Sequence, residues 1–288
     1  MSLRTAPETQ HGAKSPHTAG AESPDTDAGF VRQNVPVPKP GDPETAHIDH
    51  DGGSRSGSAL LIRDLAKILA YPELRRAFAA YAGLLLGLLA AALWFTSVTY
   101  VAVLVAIGWL LFPPTEYVVH RYVLHPLIYL DSRISARFWI RVHFAHHDRP
   151  SRPDVILASP VSVVMLVIVL NVPIALIAGP SAVIAGTVAI LLPFMFYEFV
   201  HFSIHAPIDC ASPYLQNRQR LHLLHHFHNE KRNYGICSSI IDRIVGTYTH
   251  QIPDVERSAT ARNLGYDETV ARERPLVRIE YERRYLGK

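Results

Sequence analysis

Ten of the sixteen histidines in this 288-residue chain fall into two similar sets. The first is His120-x4-His125 followed by His143-x2-His146-His147; the second is His201-x3-His205 followed by His222-x2-His225-His226. A proline comes shortly after the leading pair in each set, Pro126 in one and Pro207 in the other. Neutral imidazole is the commonest metal ligand in proteins. Ten such donors with no cysteine among them are too many for structural zinc, which closes at four ligands. Divided between two ions they supply four or five nitrogens each and leave positions open, the arrangement an oxygen-activating metal pair needs. Imidazole suits iron, copper, nickel and zinc alike, so ligand type leaves the ion open. Ten solvated histidines would give no reason for the doubled spacing.

Helical periodicity accounts for most of the grouping. Residues three or four apart share a helix face, so His201 converges with His205, His143 with His146 and His147, and His222 with His225 and His226. His120 and His125 are five apart, about 140° around a regular helix. They meet at one metal pair only if the helix unwinds near His125, and Pro126 favours this by steering the preceding residue out of helical geometry. Glu116 lies one turn before His120, and Glu198 three residues before His201. Carboxylates in apolar spans are costly and usually paired, and a metal-bound histidine commonly donates its second N–H to a carboxylate. Both glutamates are therefore expected to orient ligands, although Glu116 also suits a helix start after Pro113 and Pro114. His228 is expected to support the ligands, with a substitute ligand as the alternative, and Asn233, Asp242, Asp209 and Asn229 are weaker candidates for the same supporting role. His250 reads as a surface residue, and His11, His17, His47 and His50 as solvated side chains of a tail.

The elements that must position these residues are apolar. The chain is 49% hydrophobic and 18% charged, below the usual quarter for soluble domains. Residues 77–112 and 155–197 contain no charged side chain. Each run is long enough for two bilayer crossings of about 20 residues, with breaks at Trp94 to Ser97 and at Gly179 to Ser181. An all-α, integral-membrane fold follows, with four transmembrane helices (about 77–95, 98–117, 157–178 and 182–202) in two hairpins. Arginine and lysine flank the runs at Arg63, Lys67, Arg75 and Arg76, at Arg121, Arg133, Arg137, Arg141, Arg149 and Arg152, and at Arg218, Arg220, Lys231 and Arg232. The positive-inside rule then puts both termini and every histidine box in the cytoplasm. The net charge of +3 is met by a basic rim beside anionic headgroups and calls for no nucleic acid. Cys210 and Cys237 imply no disulfide framework and fit a reducing compartment.

Residues 1–58 are polar, lack a signal-peptide pattern and are expected to be disordered. The stretch 35–41, with proline at alternate positions, excludes a helix. A membrane domain is expected over 59–252 and a polar C-terminal extension over 253–288. Interfacial helices are expected from Ser58 to about Arg76, interrupted at Pro72, and over 131–147, where arginines mix with Phe138, Trp139 and Ile140. Residues 277–285 alternate as a strand or a loose arm would.

The boxes in this order resemble the fatty acid hydroxylase superfamily, which includes sterol desaturases and C-4 methyl oxidases, over about residues 80–250. Glu116-Tyr-Val-Val-His120-Arg-Tyr-Val-Leu-His125 is similar to the first box of its fatty acid 2-hydroxylase branch, which also has four residues between the histidines. His143-Phe-Ala-His146-His147 with Pro150, Asp154, Ser159 and Pro160 looks like the second, and His201-Phe-Ser-Ile-His205 like the third. His222-Leu-Leu-His225-His226 with Asn233-Tyr234-Gly235, Asp242, Gly246 and Thr247 looks like the last. The resemblance implies a four-helix membrane core under a cytoplasmic helical cap, in which the ten box histidines hold two iron ions, for which zinc can substitute in isolated protein. It implies an O2-dependent, two-electron hydroxylation of an acyl-chain or headgroup C–H bond of a membrane lipid. Alternatives are a sterol or fatty acyl desaturase or a C-4 methyl oxidase. Many 2-hydroxylases carry an N-terminal cytochrome b5-like domain, for which residues 1–58 are too short and polar. A separate electron donor is therefore expected, a cytochrome b5-, ferredoxin- or reductase-like protein. A non-catalytic metal-binding or transport protein is the lesser alternative, since transport calls for ionisable groups at mid-membrane, where these spans carry Leu, Val, Ala and Ile.

Overall fold

The computed structural model of the protein describes residues 57–287. The expected tail with His11, His17, His47 and His50 lies outside them, apart from its last two positions, which open the first helix. Every regular element among the described residues is helical: α1 (Gly57–Ile68), α2 (Pro72–Phe95), α3 (Val98–Val118), α4 (Arg133–Trp139), α5 (Ala145–Asp148), α6 (Pro153–Ile156), α7 (Pro160–Ala178), α8 (Val183–His205), α9 (Pro213–Phe227), α10 (Ile240–Val245), α11 (Glu268–Glu273) and α12 (Leu276–Tyr281). Wider i→i+5 turns continue α3 over Val119–Leu124, join α4 to α5 over Ile140–Phe144, and follow α12 over Glu282–Leu286.

Local signals set the boundaries. Pro72 stands at the first turn of α2, where its missing N–H costs nothing. The helix expected over residues 58–76 therefore divides, α1 ending at Ile68 and the rest belonging to α2. Ser97 caps α3 by accepting from the Tyr100 amide at 3.2 Å. Ser159 caps α7 by accepting from Ser162 N, also at 3.2 Å. Gly179 ends α7 with φ 85°, a conformation open to glycine without penalty. Pro113 and Pro114 lie inside α3, so Glu116 does not mark a helix start.

Four helical stretches are long and apolar enough to cross a membrane: Pro72–Phe95, Val98–Leu124, Pro153–Ala178 and Pro180–His205. All four extend beyond the spans expected from sequence, because α2 begins at Pro72, the wide turn prolongs α3, α6 leads into α7 from Pro153, and α8 runs on through His205. α8 is the hub. It packs against α2, α3, α7 and α9, and 56% of its apolar window is buried, against 11, 6 and 11% for the other three. Outward-facing Trp94, Leu110, Leu176 and Ile177 are between 75 and 87% exposed. Apolar surface so continuous calls for lipid, not water.

Small residues let the backbones approach. A Cβ on Gly108 of α3 would stand 2.2 Å from the Ala189 carbonyl oxygen of α8. Asn171 of α7 donates to Thr187 of α8 at 3.1 Å. Asp64 of α1 is buried and accepts from the Ala211 and Ser212 amides at 2.7 to 2.9 Å, which fixes the approach to α9.

The C-terminal segment is seated on the histidine-bearing helices. Val277 is fully buried beside Leu130, Trp139 and Tyr266, and Glu280 accepts from Arg137 at 2.7 Å. Residues 277–285 are helical and wide-turned, with no strand or loose arm. Val277, Glu280 and Tyr281 stand at helical spacing on one face, a pattern that imitates alternation over so short a stretch.

The α3–α8 contact generates a test. Gly108→Ala should destabilise by about 1–3 kcal/mol through overpacking, read as a lower melting temperature in detergent. Gly83→Ala, with nothing within 4 Å of the added carbon, should be neutral or stabilising, as alanine is in an open helix position.

Candidate metal centre

The widened turn Val119–Leu124 carries the first box. Its i→i+5 hydrogen bonding turns residues five apart onto one side, and the rings of His120 and His125 lie 4.9 Å apart. The expected unwinding at His125 is thus replaced by a widening one turn earlier, with Pro126 just beyond. Trp139, fully buried, donates from its indole to the Leu124 carbonyl at 2.9 Å. The second wide turn, Ile140–Phe144, carries His143 and leads into α5 with His146 and His147. His201 and His205 close α8, and His222, His225 and His226 lie near the end of α9.

These ten side chains form two groups of five: His120, His125, His143, His147 and His225; and His146, His201, His205, His222 and His226. Neither group coincides with a sequence set. Each HxxHH box gives its outer pair, four residues apart, to one group and its middle histidine to the other. Neighbours in sequence are about 100° apart around a helix, so His146 and His147 face different centres, as do His225 and His226. Within each group one donor atom per residue lies within 4.8 Å of all the others. Two nitrogens on opposite sides of one ion, each at about 2.1 Å, stand roughly 4.2 Å apart. Each group therefore has the size of one coordination sphere.

The Nε2 atoms face inward. His120 and His143 approach at 3.2 Å, His146 and His201 at 3.0 Å, and His222 and His226 at 2.9 Å, all Nε2 to Nε2. The Nε2 atoms of His125, His147, His205 and His225 are buried with no hydrogen-bond partner. Such atoms are rare in folded proteins and call for an explanation. Converging neutral lone pairs are satisfied together by a cation, so the residues fit one metal ion per group. In the first group main-chain carbonyls hold the rings from behind: Nδ1 of His120 lies 2.5 Å from Tyr234 O, that of His147 2.9 Å from Ala261 O, and that of His225 2.7 Å from Arg232 O. Each carbonyl fixes the tautomer that leaves Nε2 free to bind.

Burial, and then neighbouring imidazoles, hold His125, His143, His146, His222, His225 and His226 well below the ordinary imidazole range. Burial brings His147 down to about 3. The boxes therefore stay neutral, as metal binding requires.

The other candidates take different partners. Glu116 accepts from the Cys237 amide at 2.9 Å, and Glu198 from the Ala158 amide at 3.2 Å. Neither carboxylate bonds a box histidine among the described residues: in the first group carbonyls hold three of the rings, and in the second the Nδ1 atoms of His146, His222 and His226 have no hydrogen-bond partner. Asp242 accepts from the Tyr234 and Gly235 amides at 2.9 and 2.8 Å and from Thr247 Oγ1 at 2.7 Å. It thus fixes the loop whose carbonyl anchors His120. Asn233, at φ 53°, accepts from Thr249 N and donates to Thr249 O, both at 2.9 Å. His228 lies outside both groups, its Nε2 2.7 Å from Val255 O. Asn229 donates to Glu256 O, the Asp209 carbonyl accepts from Lys67, and His250 is exposed beside Arg220 and Tyr248. Sequence reading missed Tyr234, whose ring packs 5.1 to 5.6 Å from His120, His125 and His225. It also missed the carbonyls of Arg232 and Ala261, since any residue type can supply a carbonyl.

Residues 105–247 match the profile of the fatty acid hydroxylase family. The dihydroceramide fatty acyl 2-hydroxylase FAH2 of Arabidopsis thaliana is 27% identical over 159 residues, covering 55% of this chain and 64% of that protein. Human fatty acid 2-hydroxylase is 28% identical over 152 residues, covering 52% and 40%. The ceramide very long chain fatty acid hydroxylase scs7 of Schizosaccharomyces pombe is 28% identical over 137 residues, covering 46% and 38%. The chain thus spans less than two thirds of these relatives. A solved structure of full-length scs7p, with only the hydroxylase domain visible, shares the fold with a TM-score of 0.54. The identity there is 23%, over 62% of this chain and 67% of that one.

Two measurements follow. Box histidines titrate lower in the fold than in the unfolded chain, where the value is about 6.5. Between these values the unfolded state binds more protons, so stability falls as pH drops below about 6.5. The melting temperature of metal-free protein should therefore fall between pH 7 and pH 5, and a flat profile would contradict neutral burial of the boxes. In elemental analysis, His225→Ala should lower bound metal by up to about half, one ion of two, while His228→Ala should retain it.

Proposed function

We propose that this chain, which belongs to the fatty acid hydroxylase family through residues 105–247, is a membrane-bound hydroxylase acting on the acyl chain of a lipid at the carbon next to the carbonyl. The observation that carries this reading is the pair of five-histidine groups with inward Nε2 atoms, to which the ends of two of the four apolar stretches contribute His120, His201 and His205. The names of the relatives, fatty acid and dihydroceramide fatty acyl 2-hydroxylases, support the reaction and the position. His120, His125, His143, His147 and His225 would hold one iron ion, and His146, His201, His205, His222 and His226 the other. When bound, the iron pair supplies O2 activation: one oxygen atom enters the C–H bond, and the other leaves as water with two electrons and two protons from outside.

The protein's own contribution is position and exclusion. The carbonyls of Tyr234, Arg232 and Ala261 hold three rings in one orientation. Asp242 holds the Tyr234 loop, and close α3–α8 packing through Gly108 carries the first and third boxes in register. Nine of the ten box histidines are buried, so water is kept from the centre and the lipid carbon is brought to fixed ligands. Arg and Lys at the ends of the spans support a cytoplasmic position for the boxes and both termini. There a separate cytochrome b5-, ferredoxin- or reductase-like protein delivers the electrons.

Comparing lipid masses from a lipid-producing host with and without the protein tests this. A lipid carrying one added oxygen at carbon 2, absent with His225→Ala, is expected. A product lacking two hydrogens would replace hydroxylation by desaturation, and an unchanged lipid profile would remove the enzymatic reading.

A further inference from the structure

α5, which carries His146 and His147, is the last turn of the helical stretch that the wide turn Ile140–Phe144 interrupts. The last carbonyls of a helix have no partner within it. Here a distant side chain supplies one. Arg262 donates from Nε to the His147 carbonyl at 2.9 Å and from Nη2 to the Asp148 carbonyl. The preceding residue, Ala261, places its own carbonyl 2.9 Å from Nδ1 of His147. Two consecutive residues thus hold both the backbone and the ring of one box histidine.

Ala261 and Arg262 end a strap, residues 255–262, whose other end is tied to the residues that follow α9. His228 Nε2 lies 2.7 Å from Val255 O, Asn229 donates to Glu256 O at 2.9 Å, and the Ser258 amide donates to the His228 carbonyl at 2.8 Å. Closest to Ala261 in sequence, Ser258 Oγ and Thr260 Oγ1 both donate to Glu230 Oε1, at 3.0 and 2.6 Å. The Thr260 amide also donates to Ser258 Oγ, at 3.2 Å, which closes the bend. Glu230 is 4% exposed. A carboxylate buried so far is costly unless hydrogen-bonded, and among the described residues its hydrogen bonds go to the strap alone. The strap therefore joins the end of the last box to the end of the second. It lies beyond residues 105–247, the part that matches the family.

We propose that Glu230 is a positioning residue for the first histidine group, acting on His147 through Ser258, Thr260 and the Ala261 carbonyl, so that the two groups hold metal unequally. One carboxylate oxygen gathers both hydroxyls and so fixes the bend that precedes Ala261. The Ala261 carbonyl then keeps the His147 tautomer that leaves Nε2 free to bind, and Arg262 keeps the end of α5 in place. Without Glu230 the bend is held only from its far side, and the carbonyl behind His147 is no longer fixed. His120 and His225 keep their own carbonyls, those of Tyr234 and Arg232, so the first group loses one oriented ligand and not its whole set. The second group has no such dependence. None of the rings of His146, His201, His205, His222 and His226 hydrogen-bonds the strap among the described residues. This inference rests on the reading of the ten histidines as two metal spheres, not on the reaction, and it adds a difference between the spheres that their similar sizes conceal.

Titrating metal-free, full-length protein in detergent with cobalt(II), followed by visible absorption, tests this. Wild type should take up two equivalents, one for each group. Glu230→Leu should weaken one of them by about 10–100-fold, the usual cost of removing a group that orients a ligand, and leave the other near wild type. Glu230→Gln, whose amide oxygen accepts from the same two hydroxyls, should restore most of the loss. Thr260→Val, a milder change, should weaken the same equivalent and decides the matter should Glu230→Leu fail to fold. His228→Ala, which removes only the contact at Val255, should leave both equivalents in place. Combined variants assign the affected ion. On a His225→Ala background, where the first group is already disabled, Glu230→Leu should cause no further loss. On a His205→Ala background, where the second is disabled, it should weaken the ion that remains. Two unchanged equivalents in both Glu230→Leu and Thr260→Val, or equal weakening of both equivalents, overturn the positioning role. A wild type that takes up no cobalt overturns the metal reading and this inference with it. Selective weakening of one equivalent supports the inference even where no hydroxylated lipid forms, a result that removes the reaction alone.

Discussion

Ten uncharged imidazoles crowded into two groups, with their Nε2 lone pairs facing one another at 2.9 to 3.2 Å, are the constraint around which the described structure is organised. Hydrogen bonding among themselves cannot satisfy them, because a neutral ring carries one N–H and several of these are directed outward to main-chain carbonyls. Protonation is opposed by burial. A cation at each group resolves the arrangement. The protein has to hold the rings against mutual repulsion at low dielectric, and it does so with the stiffest parts available: helix ends packed on a central, largely buried α8.

The interleaving of the boxes follows from helix geometry. In HxxHH the outer pair spans one turn and shares a side, while the middle histidine is rotated about 100° from its neighbour. One helix therefore cannot complete a five-ligand set, but it can serve two. α5 gives His147 to one group and His146 to the other; α9 gives His225 to the first and His226 to the second. The two groups are mechanically joined, with His147 and His226 only 4.1 Å apart between ring centroids. A displacement of either helix is felt by both groups at once, which couples the geometry of a metal pair without any bridging side chain.

Much of this was legible in the sequence where the signal is local. The two apolar runs set four spans because hydrophobic length is read directly against bilayer thickness, and the histidine spacing marked the donors because i, i+3 and i+4 positions face together. The spacing of His120 and His125 announced that a regular helix would not serve, though the widened turn rather than unwinding was the solution. What stayed hidden was long-range. Carbonyls at Tyr234, Ala261 and Arg232 orient the rings, and no residue type records that role. Glu116 and Glu198 looked like partners of neighbouring histidines, but a carboxylate one turn from a ligand can equally turn aside to a loop amide. Residues 277–285 misled because a short amphipathic helix and a strand share apolar positions over so few residues.

The C-terminal segment shows how these long-range contacts make a site. By composition, 253–288 reads as a polar extension, yet Ala261 supplies the carbonyl behind His147, and Arg262 donates to the His147 carbonyl at 2.9 Å. Val277 and Glu280 anchor that segment to α4, the helix that carries Trp139 and leads into the second box. A ring held from behind by a carbonyl 114 positions away in sequence keeps its orientation only while the segment stays docked. The polar segment is therefore a working wall of the first group: its buried face carries the anchor, and its charged face meets solvent. Composition averages over the two faces and reports only the second.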